Sequence, residues 1–223
     1  SAIGMSHVPD LGIEGEHFTG VYDAIEFIET TKTKRITEQL LGKKVAVIGA
    51  GNTAIDAATC SVRLGADNVQ ILYRRTMEEM TAYAFEYEFA KQDGVEFRWL
   101  TAPVRIVGDE RGTVKAIECI KMTLGEPGAD GRRRPKPVRG SEFMLKVDAV
   151  IKAIGQSRYV ELLEQFHLAH DEGVLLVNSD SYQTSNNKIF ACGDVIFGKG
   201  QGEAMVVSAA QQGKRSAYAI HQY

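Results

Sequence analysis

The sequence is poor in cysteine, and it lacks both long apolar runs and a leader pattern. Its three cysteines, Cys60, Cys119 and Cys192, lie far apart and form no C-x-x-C pair. We therefore expect no disulfide framework, zinc site or iron-sulfur cluster built from this chain alone, and a reducing, cytoplasmic environment. No apolar run approaches the ~20 residues that span a bilayer, and residues 1–10 lack the basic and apolar regions of a signal peptide.

The sequence also lacks a large excess of either charge. Lys and Arg number 26 against 29 Asp and Glu, which gives a formal net charge of −3. There is no general basic field, so neither nucleic acid nor an acidic membrane is an expected partner. With 223 residues, 44% of them hydrophobic, the chain can bury one large core or two modest ones, as globular proteins do.

The pattern with the most information lies in residues 43–75. Residues 45–48 form a short apolar run rich in β-branched side chains, which is typical of a strand buried on both faces of a parallel sheet. The motif G-x-G-x-x-A follows at Gly49, Gly51 and Ala54. Its first position allows a tight turn, its second lets a phosphate approach the backbone, and its third keeps a helix close to the strand.

A helix predicted over residues 53–64 follows the motif. It ends at Gly65, and a second strand is predicted over residues 69–73. The unpaired N–H groups at the start of that helix, together with the helix dipole, favour a diphosphate. The pattern therefore predicts a dinucleotide site, and a purely structural strand-to-helix turn is the alternative.

The end of the second strand indicates which dinucleotide binds. Arg74 and Arg75 stand where NAD sites usually carry Asp or Glu for the ribose hydroxyls. A carboxylate there would repel a 2′-phosphate, whereas a guanidinium group binds one through charge-assisted hydrogen bonds. NADP(H) is therefore favoured, and the alternative is that both arginines are only solvated.

The flanking segments predict a mixed architecture. The predicted elements are a helix over residues 22–30, a helix over 82–92, a strand over 95–100, meander strands over 104–107, 114–122 and 143–147, and a returning parallel strand over 148–154. The predicted fold class is α/β, a Rossmann-like parallel sheet with an antiparallel β-meander crossover.

Two charged clusters in this region invite a functional interpretation. Three consecutive arginines, residues 132–134, lie in a Gly- and Pro-rich stretch, residues 125–140. We favour a mobile surface loop there over a phosphate- or nucleic-acid-binding patch. Glu86 and Glu88 are two apart on a predicted helix and point to different sides, so we expect both to face solvent rather than to form an acid/base pair.

The last third predicts another arrangement of strand, loop and helix. Short strands are predicted over residues 174–177 and 189–191, and a helix over residues 204–220. The second strand leads to Gly193 and Asp194, whose carboxylate suits a polyol hydroxyl, while the helix N-terminus suits an electron-rich carbonyl. An ordinary Gly-Asp turn is the alternative.

Four motifs in one order carry a family resemblance. They are IGAGNTAIDAATCSVRLGA, ILYRRTMEEM, a strand ending AIGQ, and IFACGDV before a Gly-rich helix start. The chain resembles the small subunit of NADPH-dependent glutamate synthase and the flavin and NADPH domains of dihydropyrimidine dehydrogenase, which are pyridine nucleotide-disulfide oxidoreductase-like. The resemblance implies an NADPH-dependent flavin oxidoreductase in which hydride passes from NADPH to FAD, and electrons pass on to a partner subunit or domain with iron-sulfur clusters.

The same resemblance implies the roles of individual residues. Those that would hold the NADPH diphosphate are Gly49, Ala50, Gly51, Asn52, Thr53 and Ala54. Those that would hold the 2′-phosphate are Arg74 and Arg75, and those that would line the nicotinamide half are Ile154, Gly155 and Gln156. Those that would contact FAD are Gly193, Asp194, Gly202, Glu203, Ala204 and Met205. No catalytic acid, base or nucleophile and no metal ligand is implied, because hydride transfer needs two positioned rings.

One departure from the family affects the domain prediction. Its members open with an FAD-binding G-x-G-x-x-G unit, usually after a cysteine-rich iron-sulfur segment, and this sequence has neither. We expect a fragment whose residues 1–39 end the first half of an FAD domain and include a connecting helix. Residues 40–156 are then the NAD(P)H-binding domain, and residues 157–223 the C-terminal part of the FAD domain. Such a chain is expected to bind NADPH and to hold little or no FAD.

Two other functions stay open at this point. A thioredoxin-reductase-like flavoenzyme shares the arginine pair and the glycine motif, but it needs a redox C-x-x-C, which this sequence lacks. The second open function is a non-catalytic nucleotide-binding module. A flavin absorption band near ~450 nm that NADPH bleaches would separate an electron carrier from such a module.

Overall fold

The computed structural model divides the chain into two compact units. It describes residues 3–5, 8–33, 40, 42–128, 131–198 and 205–223. Val8–Gly155 form one unit, which we call the sheet unit, and Ser1–His7 with Gln156–Tyr223 form the other, the tail unit. The functional boundaries after residues 39 and 156 stay a prediction.

Helices and strands alternate through the sheet unit, and helices dominate the tail unit. The strands are β1 (Val21–Asp23), β2 (Lys44–Ile48), β3 (Asn68–Leu72), β4 (Glu96–Arg98), β5 (Thr101–Gly108), β6 (Val114–Pro127), β7 (Arg133–Pro137), β8 (Phe143–Lys146), β9 (Ala149–Lys152), β10 (His170–Asp171) and β11 (Val174–Leu175). The α-helices are α1 (Ala24–Thr33), α2 (Asn52–Arg63), α3 (Ala84–Gln92), α4 (Val160–Gln165) and α5 (Val206–Gln222). Within the described residues, no helix is long and apolar enough to cross a membrane.

A parallel sheet in the order β1-β9-β2-β3-β4 forms the centre of the sheet unit. Successive side chains of a strand point to opposite faces. Val45 and Val47 accordingly pack in a core shared with α1, α2 and α3, while Ala46 and Ile48 pack in a second core with the antiparallel strands. Both faces are covered, so the α/β fold class and the doubly buried strand are confirmed.

The strand β1 corrects the prediction of a helix from residue 22. Tyr22 lies in that strand, opposite Ile151 of β9, and the helix begins only after Asp23. The Asp23 carboxylate accepts hydrogen bonds from the backbone N–H groups of Val8 and Ile25, both at 2.9 Å. An aspartate just before a helix satisfies N–H groups that have no partner inside the helix.

The antiparallel meander is confirmed, but the surface loop predicted over residues 125–140 is in part a strand. β6 pairs with β5, β7 and β8, and residues 133–137 of the supposed loop are β7, with Thr123 opposite Lys136. The prolines that suggested a loop are compatible with this strand. β7 pairs with β6 alone among the described strands, and an edge strand tolerates residues that lack an N–H donor.

The prediction that Glu86 and Glu88 both face solvent holds for Glu88 only. Glu88 is exposed and lies 3.3 Å from the Lys91 ammonium. Glu86 is half-buried, and its Oε2 is inaccessible and has no hydrogen-bond partner among the described residues. Burial raises the pKa of Glu86, and the negative charge of Asp56 raises it further.

The tail unit has a small apolar core and little sheet. The buried core residues are Leu163, Leu168, Leu175, Tyr182, Ala191, Val195 and Ile196. The strand predicted over residues 189–191 is wrong, because the structure has only an isolated bridge between Gln183 and Phe190 there. The strand predicted over residues 174–177 ends at Leu175 and pairs only with β10 among the described strands.

Candidate functional site

A cavity of about 490 Å³ opens at the carboxyl ends of the parallel strands of the sheet unit. Ile48 ends β2 and Leu72 ends β3, while Ala153 follows β9, and all three line the cavity. β3 and β9 lie on opposite sides of β2. A crevice at such a division of the strand order is where open α/β sheets bind their ligands.

The first glycine of the motif is held between two neighbouring strands. Its N–H donates a hydrogen bond to the carbonyl oxygen of Leu72 at 3.0 Å. Its φ is +123°, and a Cβ at Gly49 would lie 2.1 Å from the carbonyl oxygen of Ala153. Only glycine fits both the backbone angle and this approach, so the sharp turn at the cavity floor depends on it.

The start of α2 is open toward a ligand. Gly51 is the N-cap residue, no side chain caps the helix, and its first turn contains no acidic residue. Gly51 and Thr53 line the cavity together with Gly49 and Ala50. A helix N-terminus without a side-chain cap or carboxylate keeps its N–H groups and its dipole available for an anion.

Two further residues of the motif support the turn rather than line the cavity. Ala54 is fully buried, and its N–H donates to the carbonyl oxygen of Gly51 at 2.9 Å. The Oδ1 of Asn52 accepts a hydrogen bond from the backbone N–H of Tyr83 at 3.1 Å. Asn52 therefore ties the segment after Met80 to the helix start.

Both arginines that follow β3 line the same cavity as the glycine turn. Arg74 is exposed and makes no hydrogen bond or ion pair with any residue in the described ranges. Arg75 is half-buried, and its Nε donates a hydrogen bond to the carbonyl oxygen of Arg133 at 3.0 Å. Two positive charges and an uncapped helix N-terminus thus line the same cavity.

The remaining predicted site residues are divided between the two units. Ile154, 40% exposed, and Gly155 line the cavity of the sheet unit, whereas Gln156 belongs to the tail unit. In the tail unit Gly193 donates its N–H to Oε1 of Gln212 at 2.8 Å. Asp194 lies in a short 3-10 helix, Gly193–Ile196, and Met205 is the N-cap residue of α5. The predicted FAD residues Gly202, Glu203 and Ala204 lie outside the described residues.

Arg132 also contributes to the cavity, which was not predicted from the sequence. Its side chain lines the wall beside Arg74 and Arg75. Its Nη2 donates hydrogen bonds to the Tyr73 hydroxyl at 3.3 Å and to the carbonyl oxygen of Glu79 at 3.1 Å. The run of three arginines was the available signal, but its Gly- and Pro-rich surroundings favoured a loop.

The family is identified by comparison with known proteins. A family model described as pyridine nucleotide-disulphide oxidoreductase matches residues 2–213. The chain belongs to this family. The resemblance predicted from the four motifs is thereby confirmed.

Relatives in this family include subunits of larger enzymes. The chain is 38% identical over 224 residues to the NADP(+)-dependent formate dehydrogenase subunit beta of Moorella thermoacetica, with 100% of this chain and 31% of that protein covered. It is 36% identical over 228 residues to the glutamate synthase (NADPH) small chain of Escherichia coli (strain K12), with 94% and 46% covered. The chain therefore spans less than half of either relative.

A solved structure supports the fold class. The crystal structure of T. acidophilum thioredoxin reductase matches with a TM-score of 0.74 over 99% of this chain and 64% of that one, at 22% sequence identity. At that identity the likeness concerns the fold.

Proposed function

We propose that this chain is the NADPH-binding, electron-input part of a flavoprotein oxidoreductase. The observation that carries the proposal is the presence of Arg74 and Arg75 in the same cavity as the glycine turn and the uncapped start of α2. A diphosphate suits the helix start, and a second, more exposed phosphate suits the guanidinium pair. The relatives' names, which include NADP(+) and NADPH, support the same coenzyme.

In this proposal the chain's residues bind and orient, and none acts as an acid or base. Backbone N–H groups of residues 50–53 hold the diphosphate, the turn at Gly49 positions them, and Arg74 with Arg75 holds the 2′-phosphate. Ile154 and Gly155, at the opposite wall of the cavity, support the nicotinamide. The coenzyme supplies the hydride, so the contribution of this chain to the rate is the position in which it holds the ring.

We propose that the tail unit supplies part of a flavin site. No parallel strand followed by a glycine turn and helix occurs among its described residues, so they contain no cradle for a dinucleotide diphosphate. Asp194 is assigned to the ribityl hydroxyls, and Met205 at the start of α5 to the edge of the flavin ring. When bound, FAD would accept the hydride and deliver electrons to a partner subunit or domain with iron-sulfur clusters.

The thioredoxin-reductase-like alternative is weaker for this chain. The fold likeness agrees with it, but the sequence contains no C-x-x-C pair. Such an enzyme needs two neighbouring thiols to exchange with a disulfide. The final electron acceptor belongs to the partner, and glutamate-synthase-like and dihydropyrimidine-dehydrogenase-like assemblies are both consistent with the proposal.

Isothermal titration calorimetry, which measures the affinity of the chain for NADP⁺ and for NAD⁺, tests the proposal. We expect NADP⁺ to bind more tightly, and Arg74→Ala and Arg75→Ala each to weaken NADP⁺ binding by about 10- to 100-fold, because each removes a charge-assisted contact worth about 1.5–3 kcal/mol. NAD⁺ binding should change little. Arg111→Ala, an exposed arginine outside the cavity, is the control. Equal affinity of the unaltered chain for the two coenzymes would contradict the proposal.

A further inference from the structure

A hairpin of the meander contributes one arginine, Arg132, to the lining of the cavity. We call it the arginine ribbon, which comprises the second half of β6, residues 121–127, and β7 with the preceding Arg132. Met122 pairs with Pro137 and Thr123 with Lys136, so the ribbon is regular close to its base. The N–H of Met122 donates to the carbonyl oxygen of Leu100 at 2.8 Å. The ribbon is therefore attached to the strand ends beside the cavity.

An ion pair fastens the ribbon to the segment that follows Arg75. The Nε of Arg133 lies 2.7 Å from Oε1 of Glu79, and its Nη2 lies 3.1 Å from Oε2 of Glu78. The Glu79 side chain is only 11% exposed. It also accepts hydrogen bonds from the N–H and hydroxyl of Thr76, in a capping box that fixes its rotamer. This pair holds the start of β7 in one position.

Arg133 also reduces an electrostatic conflict. Residues 76–80, TMEEM, contain two carboxylates and no cation, although they directly follow the arginine pair. Two unneutralised carboxylates there would repel a coenzyme phosphate. Arg133 contacts both of them, and its carbonyl oxygen in turn accepts the hydrogen bond from Arg75. The ribbon thus offsets part of the negative charge of the acidic turn and orients one of the arginines of the cavity.

The position of Arg132 follows from this attachment. Its Nη2 donates to the Tyr73 hydroxyl and to the Glu79 carbonyl oxygen. Two hydrogen bonds to fixed acceptors set the direction of the guanidinium group where it lines the cavity. The Tyr73 hydroxyl itself donates to the same carbonyl oxygen at 2.8 Å, so three groups meet at the cavity wall where β3 ends.

We propose that Arg132 is a third guanidinium contact to the 2′-phosphate of NADP(H), and that the Glu79–Arg133 ion pair positions it. The inference rests on the proposed function, because it names a further specificity-determining residue of the same site. Arg74 and Arg75 come from the strand end and Arg132 from a ribbon 57 positions after Arg75, and all three side chains line the same cavity. A phosphate dianion has three terminal oxygens and accepts several such contacts.

The test uses a matched pair of arginines on the ribbon. Arg132→Ala should weaken NADP⁺ binding at least 10-fold and leave NAD⁺ binding within about 2-fold. Arg134→Ala is the control: it removes the same charge from a side chain that is two residues away, exposed and outside the cavity. It should leave both affinities within about 2-fold. Isothermal titration gives the affinities, and Trp99 fluorescence, from the single tryptophan, checks that each variant is folded. If Arg132→Ala does not fold, Arg132→Gln provides the same comparison.

Three outcomes separate this inference from the function on which it rests. If the unaltered chain prefers NADP⁺ and Arg132→Ala loses that preference, while Arg134→Ala keeps it, the inference is supported. If Arg74→Ala and Arg75→Ala weaken NADP⁺ binding but Arg132→Ala does not, or if Arg132→Ala weakens NADP⁺ and NAD⁺ equally, the inference is wrong and the proposed function stands. If the unaltered chain shows no preference for NADP⁺, both are wrong.

Discussion

The two units of this chain differ in how they hold a glycine at a turn. In the sheet unit, Gly49 lies between the backbones of two adjacent parallel strands, with its N–H bonded to Leu72 and its Cα facing the carbonyl oxygen of Ala153. In the tail unit, the N–H of Gly193 is held by a side chain, Gln212 of α5. A Cβ at Gly193 would meet only the Ala209 Cβ, at 3.6 Å.

The difference shows what a dinucleotide site requires. Parallel strands side by side bring three backbone ends to one place, and a glycine turn between them leaves N–H groups directed into a shared cavity. The described residues of the tail unit offer a pair of two-residue antiparallel strands and a small core instead. Residues with suitable chemistry, such as Asp194, stand there without the strand ends that would build a diphosphate cradle.

The largest expected effect breaks the turn of the sheet unit. Gly49→Ala should lower the free energy of unfolding by about 3 kcal/mol, because its φ of +123° is unfavourable for alanine and the new Cβ would lie 2.1 Å from a backbone oxygen. Urea denaturation followed by Trp99 fluorescence measures this in the sheet unit.

The matched change in the tail unit is Gly193→Ala. The φ of Gly193 is +77°, and there is room for an added Cβ. Only the unfavourable backbone angle of alanine then acts, and it should lower the free energy of unfolding by about 1 kcal/mol. Circular dichroism follows its unfolding. If the two variants are destabilised equally, the approach of Ala153 to Gly49 is not what fixes that turn.

A smaller effect is expected at the attachment of the arginine ribbon. Glu79→Ala should lower the free energy of unfolding by about 1–2 kcal/mol near neutral pH, because it removes the capping box and a partly buried ion pair. Urea denaturation measures this change. Glu78→Ala removes the other carboxylate bound to Arg133, but that side chain is 82% exposed, so we expect a loss below about 0.5 kcal/mol.

The pH dependence of the same variant gives a second measurement. The hydrogen bond from the Thr76 hydroxyl, and then the bond from Arg133, lower the pKa of Glu79 from its ordinary value of 4.5. A group with a lowered pKa in the folded state stabilises the fold above its ordinary pKa, and this contribution is lost as pH falls through the lowered value. The difference in free energy of unfolding between the unaltered chain and Glu79→Ala should therefore become smaller in acid. An undiminished difference would show that the carboxylate charge does not matter.

The parts of the fold predicted correctly carry local signals. The run before Gly49, the glycine spacing and the strand that ends at the arginine pair each have a period or motif that a few consecutive residues reveal. The three-residue strand β1 is too short to show a period, and Asp23 suits a helix start as well as a strand end. The strand β1 was therefore not predicted.

The arginine ribbon was missed for a different reason. Gly and Pro usually mark loops, and composition alone does not show that β7 is an edge strand beside β6. The place of Arg132 in the cavity depends on Glu79, 53 residues earlier in the chain. Such a contact follows from the register of the meander, which no short pattern contains.

The smallest expected effect concerns the face of the sheet unit formed by α2 and α3. Glu86→Gln should stabilise the chain by roughly 0.5 kcal/mol near neutral pH, because a neutral amide replaces a half-buried carboxylate whose Oε2 has no partner among the described residues. Burial and then Asp56 raise the pKa of Glu86, so its ionisation destabilises the fold as pH rises through that raised value. The gain should accordingly vanish in acid, where Glu86 is protonated.

Glu88→Gln is the control, at an exposed position beside Lys91, and it should give no gain in stability at either pH in urea denaturation. A gain of the same size from both variants would mean that net charge, and not the burial of Glu86, is responsible.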